Sequence, residues 1–588
     1  MRFLGNVLAT IVGLFVFFML AFFGLMVIGL LVGGGEETVT IENNSVIELD
    51  LSKVTLDYAG KTNYKDFNYF EAQHDGVTDI LNAIDAAKTD DKIKGISILN
   101  NQSQLGLAQS RAIRNKLEEF KKSGKFVYAY ANYFTQGEYY LNSVADQVYL
   151  NPAGEVDFKG LSSEIIYMKD LQDKSGVKFE VIRHGKYKSA VEPYLSQEMS
   201  PENREQMTVL LNSVWNTIVE DIAKSRKLSI LQLNAIANSL GARTPELALA
   251  NKLIDKIAYE DEYHNAIRTK LKLAKDEKYD FVSITDYAQT SASTVEDYTK
   301  KDIIAVIYAQ GEILGGEGDI NIIGEGSINR SLREAREDKN VKAIVLRVNS
   351  PGGSALTSEL IWREIELTKK VKPVVVSMGD YAASGGYYIS ANADRIFAEP
   401  NTITGSIGVF GMLPNMNQLG KNIGINAEQV KTHDNASGYS VFEPIDEGFK
   451  GYVLEGIERT YNIFLKRVAD GRKMSITQVD AIAQGRVWTG VDAKKIGLVD
   501  ELGGLDAAIK YAAKLGKTSS YRTESFPEYE KSFEDMLANF TGLAMFKTKE
   551  QLLKEQLGEE GFQMLEKIKR VKSRKGIQAM MPYEIEIH

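Results

Sequence analysis

Three short runs of small residues carry the groups best suited to chemistry, and all fall in the later part of this 588-residue chain. In Asn349-Ser-Pro-Gly-Gly-Ser354, two glycines follow an expected strand, where backbone N–H groups can approach and polarise a ligand oxygen. Ala382-Ala-Ser-Gly-Gly386 also leaves an expected strand and opens an expected helix. Its small neighbours expose the Ser384 hydroxyl, and the helix start favours negative charge there. The run departs from the G-x-S-x-G esterase elbow, because Ala382 holds the first glycine position. Thr404-Gly-Ser-Ile-Gly408 follows one short unit later and on its own reads as a turn. A serine nucleophile needs a base. The chain has five histidines, His74, His184, His264, His433 and His588. His433, with Asp434 beside it in the polar run Lys431-Thr-His-Asp-Asn-Ala-Ser437, permits a Ser-His-Asp reading. The other base is a lysine desolvated enough to be neutral, and composition does not choose among the lysines. Ser175-Gly-Val-Lys178 fits S-x-x-K, but the S-D-N and K-T-G partners of that pattern are missing. Cysteine is absent, which excludes disulfides, thiolate zinc, iron–sulfur clusters and a cysteine nucleophile.

The elements that must position these groups are written twice. Gly137-Glu-Tyr-Tyr-Leu-Asn-Ser-Val-Ala-Asp-Gln-Val-Tyr-Leu-Asn-Pro152 aligns without gaps on Gly385-Gly-Tyr-Tyr-Ile-Ser-Ala-Asn-Ala-Asp-Arg-Ile-Phe-Ala-Glu-Pro400, with six of 16 positions identical at an offset of 248. The same offset sets Lys94–Leu99 on Lys342–Arg347, while Arg226–Ser229 meets Arg472–Ser475 and Leu253–Asp255 meets Leu498–Asp500. In the second copy, Ile303–Ile307, Ala343–Val348, Pro373–Val376 and Arg395–Ala398 read as strands, and Leu356–Lys370 as a helix. A long amphipathic helix closes each copy, at about Gln206–Arg226 and Gly451–Gly471. The alternation predicts an α/β fold of two tandem parallel βαβ domains. The expected division is 40–260 for the first, 261–300 for a linker through polar Gln289–Glu296, 301–530 for the second and 531–588 for a charged helical tail.

Lys and Arg number 70 against 79 Asp and Glu, a net charge of −9, which gives no reason to expect a nucleic-acid partner. At the amino terminus no charge intervenes between Arg2 and Glu36, and Val7 to Val32 is almost wholly apolar. As a helix that run spans roughly 39 Å, enough to cross a bilayer, and it is longer than a cleaved signal's apolar region. Residues 1–35 are therefore expected to be an uncleaved signal anchor, amino terminus in the cytoplasm and body outside it.

Asn349–Ser354 followed by Ala382–Gly386 resembles the Clp-protease/crotonase fold. With the anchor, the duplication, and Gly485-Arg-Val-Trp-Thr-Gly490 leading to Gly497-Leu-Val-Asp500, the chain resembles the long, duplicated form of the signal peptide peptidase A (protease IV) family over essentially its whole length. That resemblance implies a Ser–Lys dyad. The family's serine motif falls on Ser384, and its lysine motif falls on Gly185-Lys-Tyr-Lys188-Ser-Ala-Val-Glu-Pro193, which makes Lys188 of the first copy the base. A lysine-orienting serine falls on Ser406, the oxyanion donors on Gly353 and Gly385, and Gly352 shapes their turn. The repeat agrees with a divided site. The counterpart of Ser384 is Gln136, and that of Lys188 falls near Ala436, in a stretch with no lysine between Lys431 and Lys450. Clp proteases carry a histidine about 25 residues after the serine; here Gly408-Val-Phe-Gly411 stands there, which favours lysine. The resemblance further implies an inner-membrane, periplasm-facing homo-oligomer that degrades released signal peptides and other apolar peptides, without cofactor or metal. A crotonase-like acyl-thioester enzyme and a catalytically silent membrane scaffold are the alternatives, and a serine-directed label distinguishes both from a peptidase.

Overall fold

The computed structural model describes residues 2–33, 40–64, 69–72, 74–274, 277–295, 298–531 and 578–581. Arg2–Gly33 is one helix, and its stretch Gly5–Gly24 is long and apolar enough to cross a membrane. Phe15, Phe17 and Phe18 on it are exposed, so no other described part of the protein covers that surface. This is compatible with a membrane anchor.

Two six-strand parallel arrays form the body, and they are built alike. In the first the order is Lys256–Ile257, Gln147–Leu150, Phe126–Ala131, Ile93–Leu99, Ser45–Glu48, Phe281–Ser283. In the second it is Glu501–Leu502, Arg395–Ala398, Val374–Ala383, Val341–Ser350, Asp302–Gln310, Tyr521–Phe526. Strands such as Val374–Ala383 are buried on both faces because helices cover both sides, which is why they read as apolar runs rather than alternations. The anchoring contacts repeat as well. Tyr139 donates to the Leu253 carbonyl at 2.8 Å, as Tyr387 does to Leu498, also at 2.8 Å. Arg226 pairs with Asp255 as Arg472 pairs with Asp500, closing the long helices Pro201–Arg226 and Glu447–Arg472 onto the sheets.

The stretch expected to be a linker is part of the first layer. Glu260–Leu271 and Ile284–Val295 are helices, and Phe281–Ser283 completes the first sheet as Tyr521–Phe526 completes the second. Ile284, Tyr287 and Ala288 bury one face of the second helix in the first core, and that burial overrides the polarity of the residues that follow. Most of the expected helical tail lies outside the described residues. Its described part, Gln578–Met580, is a strand, because its backbone finds partners on two sides.

Buried charges lock the copies together. Arg347 of the second copy lies 2.9 Å from Asp57 of the first, and Arg111 of the first lies 2.9 Å from Glu399 of the second. The Asp380 carboxylate of the second copy accepts the Ala108 and Gln109 amides at the start of the first-copy helix Leu107–Lys121, at 2.7 and 3.3 Å. A further seven-strand sheet contains strands of both copies. Its order is Gly318–Asp319, Ile322–Ile323, Glu312–Ile313, Gly352–Ser354, Gln578–Met580, Val409–Asn415, Lys178–His184.

Candidate active site

Ser384 stands where the strand Val374–Ala383 turns sharply into the helix Gly385–Ser390. Its φ of 55° and ψ of −112° are unfavourable for a side-chain-bearing residue, at a cost on the order of 1–3 kcal/mol. Neighbouring contacts enforce the conformation: its amide donates to the Gly405 carbonyl and its carbonyl accepts from Tyr388, both at 2.8 Å. The flanking glycines answer to packing. A Cβ on Gly386 would lie 2.8 Å from the Ser350 carbonyl oxygen, and one on Gly385 would lie 2.8 Å from the Ser358 hydroxyl.

Lys188 reaches this point from the other copy. The first-copy strand Lys178–His184 pairs antiparallel with Val409–Asn415 of the second over seven residues, from Lys178 opposite Asn415 to His184 opposite Val409. Gly185, at φ 101°, then turns the chain, and the Tyr187 amide donates to the Gln484 carbonyl at 2.9 Å. The lysine stem runs over two second-copy glycines. A Cβ on Gly485 would fall 2.6 Å from Lys188 Cβ, and one on Gly408 would fall 3.2 Å from its Cδ. Lys188 Nζ ends 3.0 Å from Ser384 Oγ, 3.0 Å from Ser406 Oγ and 3.1 Å from the Ser406 carbonyl oxygen. All three residues are fully buried. Burial of the amine, with no acidic group paired to it among the described residues, holds its pKa well below the usual 10.5 of lysine. Ser406 is itself held at φ 50°, its amide donating to the Arg486 carbonyl at 2.7 Å.

The two-glycine turn closes the other side of Ser384. Gly352 and Gly353 have φ of 103° and 152°, conformations in which side chains are strained. Added Cβ atoms would fall 2.8 Å from the Gly385 amide nitrogen and 2.1 Å from the Ile313 carbonyl oxygen, respectively. The backbones of Gly352–Gly353 and Gly385 thus abut beside the serine.

The structure brings together Lys188, Ser384, Ser406, Gly353 and Gly385, and leaves out the described histidines, His74, His184, His264 and His433. His433 is exposed, its ring 3.0 Å from the neighbouring Thr432 hydroxyl, so the triad through His433 and Asp434 has no geometry to support it. His184 lies against the Tyr461 ring, centroids 4.1 Å apart. Ser175 donates to the Gln172 carbonyl at 3.4 Å and accepts from the Val177 amide at 3.3 Å, both local contacts. Gly408 and Gly485, which make room for the lysine, were not readable as site residues. Their one signal was position, since Gly485 opens the Gly485–Gly490 run and Gly408 ends Thr404–Gly408.

The sequence profile of peptidase family S49 matches residues 119–274 and 366–519, one match in each copy. The chain is 40% identical to Protease 4 of Haemophilus influenzae over 450 residues, covering 74% of this chain and 72% of that protein. It is 39% identical to Protease 4 of Salmonella typhi over 80% of this chain and 77% of that protein. It is 33% identical to the chloroplastic serine protease SPPA of Arabidopsis thaliana over 72% of this chain and 64% of that protein. Among solved structures, ClpP1 from Listeria monocytogenes matches 34% of this chain and 91% of its own, at 19% identity and a TM-score of 0.22. The two family matches and the Protease 4 relatives place the chain in peptidase family S49, as a serine-type peptidase with the family region duplicated.

Proposed function

We propose that the chain is a membrane-anchored serine endopeptidase in which the second copy supplies the nucleophile, Ser384, and the first supplies the general base, Lys188. The observation that carries this reading is the buried, uncompensated Lys188 amine 3.0 Å from Ser384 Oγ. A neutral amine has two hydrogens and one lone pair. The hydrogens go to the hydroxyl and carbonyl oxygens of Ser406, which leaves the lone pair for the Ser384 proton. As Ser384 Oγ attacks a peptide carbonyl, Lys188 takes its proton and delivers it to the departing amine. The Gly353 and Gly385 amides stabilise the tetrahedral oxyanion, and water then resolves the acyl-enzyme by the same proton path in reverse. No metal or cofactor takes part in this scheme.

The helix Arg2–Gly33 holds this site beside a bilayer, where released signal peptides and other apolar peptides concentrate. In this reading the amino terminus is cytoplasmic, the body lies on the periplasmic side of the inner membrane, and the working form is a homo-oligomer. The test is labelling of the detergent-solubilised full chain with a fluorophosphonate, followed by peptide mapping. Modification at Ser384 that is absent in Ser384→Ala is expected. An unlabelled chain would favour an acyl-thioester enzyme or a silent scaffold on the same fold.

A further inference from the structure

A cleft of about 1080 Å³ opens between the copies, and neither Ser384 nor Lys188 lines it. It is lined by the first-copy loop 100–106 and by Thr135 and Gly137, on either side of Gln136. These are the counterparts of the groups around the candidate nucleophile. At the offset of 248, residues 100–106 fall on 348–354, which hold the glycine turn, and Gln136 falls on Ser384. The fold keeps that correspondence. Gly106 stands at the start of the helix Leu107–Lys121 as Ser354 stands at the start of Ala355–Lys369, each 15 residues long. The cleft therefore occupies, in the first copy, the place that the candidate site occupies in the second.

What differs is the chemistry. Gln104 and Leu105 replace Gly352 and Gly353, and neither has the positive φ of those glycines. Gln136 has no hydroxyl, and its carboxamide is already bonded to the backbone of Lys159 and Gly160. The nucleophile and the glycine turn are gone, and what remains can hold a chain without cutting it.

The lining selects the ligand. Asn and Leu are its commonest residues. A carboxamide both donates and accepts, as a peptide backbone does, and leucines suit the aliphatic side chains between those bonds. Part of that polar capacity is unused. Asn101 and Asn401 line the cleft at 3% and 4% exposure, and Nδ2 of the first and both amide atoms of the second have no hydrogen-bond partner among the described residues. Charge narrows the choice further: Glu138 and Asp380 line the cleft and no lysine or arginine does, which disfavours acidic ligands.

We infer that this cleft is a second, noncatalytic peptide site, which holds an extended aliphatic peptide free of acidic residues and leaves it uncut. The ligand class rests on the reading that Ser384 acts on peptides; the place rests on the duplicated geometry.

Equilibrium binding to full-length protein in detergent micelles tests this, after Ser384 has been labelled to completion with a fluorophosphonate. The probe is a fluorescent, end-capped peptide of Ala, Leu and Gln with one Lys, followed by anisotropy against protein-free micelles. The labelled wild type should bind one probe per chain. Gln104→Trp fills the cleft from an exposed loop position, and Leu211→Ala removes a half-buried aliphatic contact. Each should weaken binding by about tenfold or more, while its unlabelled form turns over a fluorogenic peptide as the wild type does and so reports an intact fold. Exchanging Gln for Glu in the probe should weaken binding by about tenfold as well. Binding that is absent from the labelled wild type, unchanged in both variants or indifferent to the Glu probe overturns the inference and leaves the peptidase reading standing. Displacement of the probe by a neutral oligosaccharide would give the cleft to carbohydrate and overturn it too. A chain that takes no label at Ser384 removes the peptidase reading, and the ligand class with it.

Discussion

Ser384 and Gln136 occupy the same place in the two copies, 248 residues apart, and their surroundings have diverged in opposite directions. In the second copy the chain is forced to φ 55° at Ser384, and the hydroxyl meets an amine from the other copy. In the first, Thr135 caps the helix Gln136–Asn142 from ordinary extended backbone at φ −64° and ψ 162°. There the Gln136 amide is spent on structure. It accepts from the Gly160 and Lys159 amides at 2.9 and 3.1 Å and donates to the Gly160 carbonyl at 3.0 Å. The tyrosine and arginine contacts that hold helix to sheet are the same in both copies. On the proposed reading, duplication has kept the scaffold twice and divided the chemistry, one copy strained and receptive, the other relaxed and supplying a strand to its twin.

The sharpest way to break this contrast is to truncate both residues. Ser384→Ala should reduce peptide turnover to background. Gln136→Ala should leave turnover nearly unchanged while lowering stability by about 1–3 kcal/mol through its stranded amide partners, read by thermal unfolding. Equal loss of activity in both would place the reacting group elsewhere.

Next comes the lysine's path. Gly485→Ala sets a Cβ 2.6 Å from Lys188 Cβ, and a displacement on the order of 1 Å at the amine should cost about 10²-fold in kcat. Gly124→Ala in the first copy controls for strain, since Gly124 has a similar φ of 87° with nothing within 4 Å of the added atom. Comparable loss in both would assign the effect to backbone strain. Ser406→Ala removes one of the amine's hydrogen-bond partners and should slow kcat about tenfold without abolishing it.

The smallest effect concerns the joint between the copies. Burial, with Asp57 nearby, raises the Asp380 pKa from 3.8 to about 6. The folded chain therefore binds more protons than the unfolded one across that window, and stability falls as pH rises through it. Asp380→Asn keeps an acceptor for the Ala108 and Gln109 amides but does not ionise. The Tm difference between variant and wild type should widen in the variant's favour from about pH 4 to about pH 6 and then level off. A constant difference would mean that Asp380 does not titrate there.

How much of this could be read from the residues depends on range. The duplication, the parallel strands and the long helices were legible, because each rests on local periodicity or on a fixed offset. The serine run was legible because the small residues around Ser384 are consecutive. Lys188 was not legible from its own neighbourhood; only the family resemblance singled it out. The contact that matters spans 196 residues and needs a first-copy strand to join a second-copy sheet. The linker was misread for a related reason, since local polarity after Ala288 hid a helix whose earlier turn fills the core. Gln578–Met580 has no periodicity of its own, and its extended form comes from the two edges it lies between.

The most direct test of the divided site is kcat/KM against pH, measured for wild type and Lys188→Arg on the detergent-solubilised full chain. Only the neutral amine can accept the Ser384 proton, so wild-type activity should rise with pH along a single limb. That limb should lie well below the 10.5 of free lysine, because burial disfavours the charged form. Arginine stays protonated across the range, so Lys188→Arg should show no limb and only background turnover. Substantial activity in Lys188→Arg, or a wild-type limb at the free-lysine value, would contradict a base supplied by the first copy to the serine of the second.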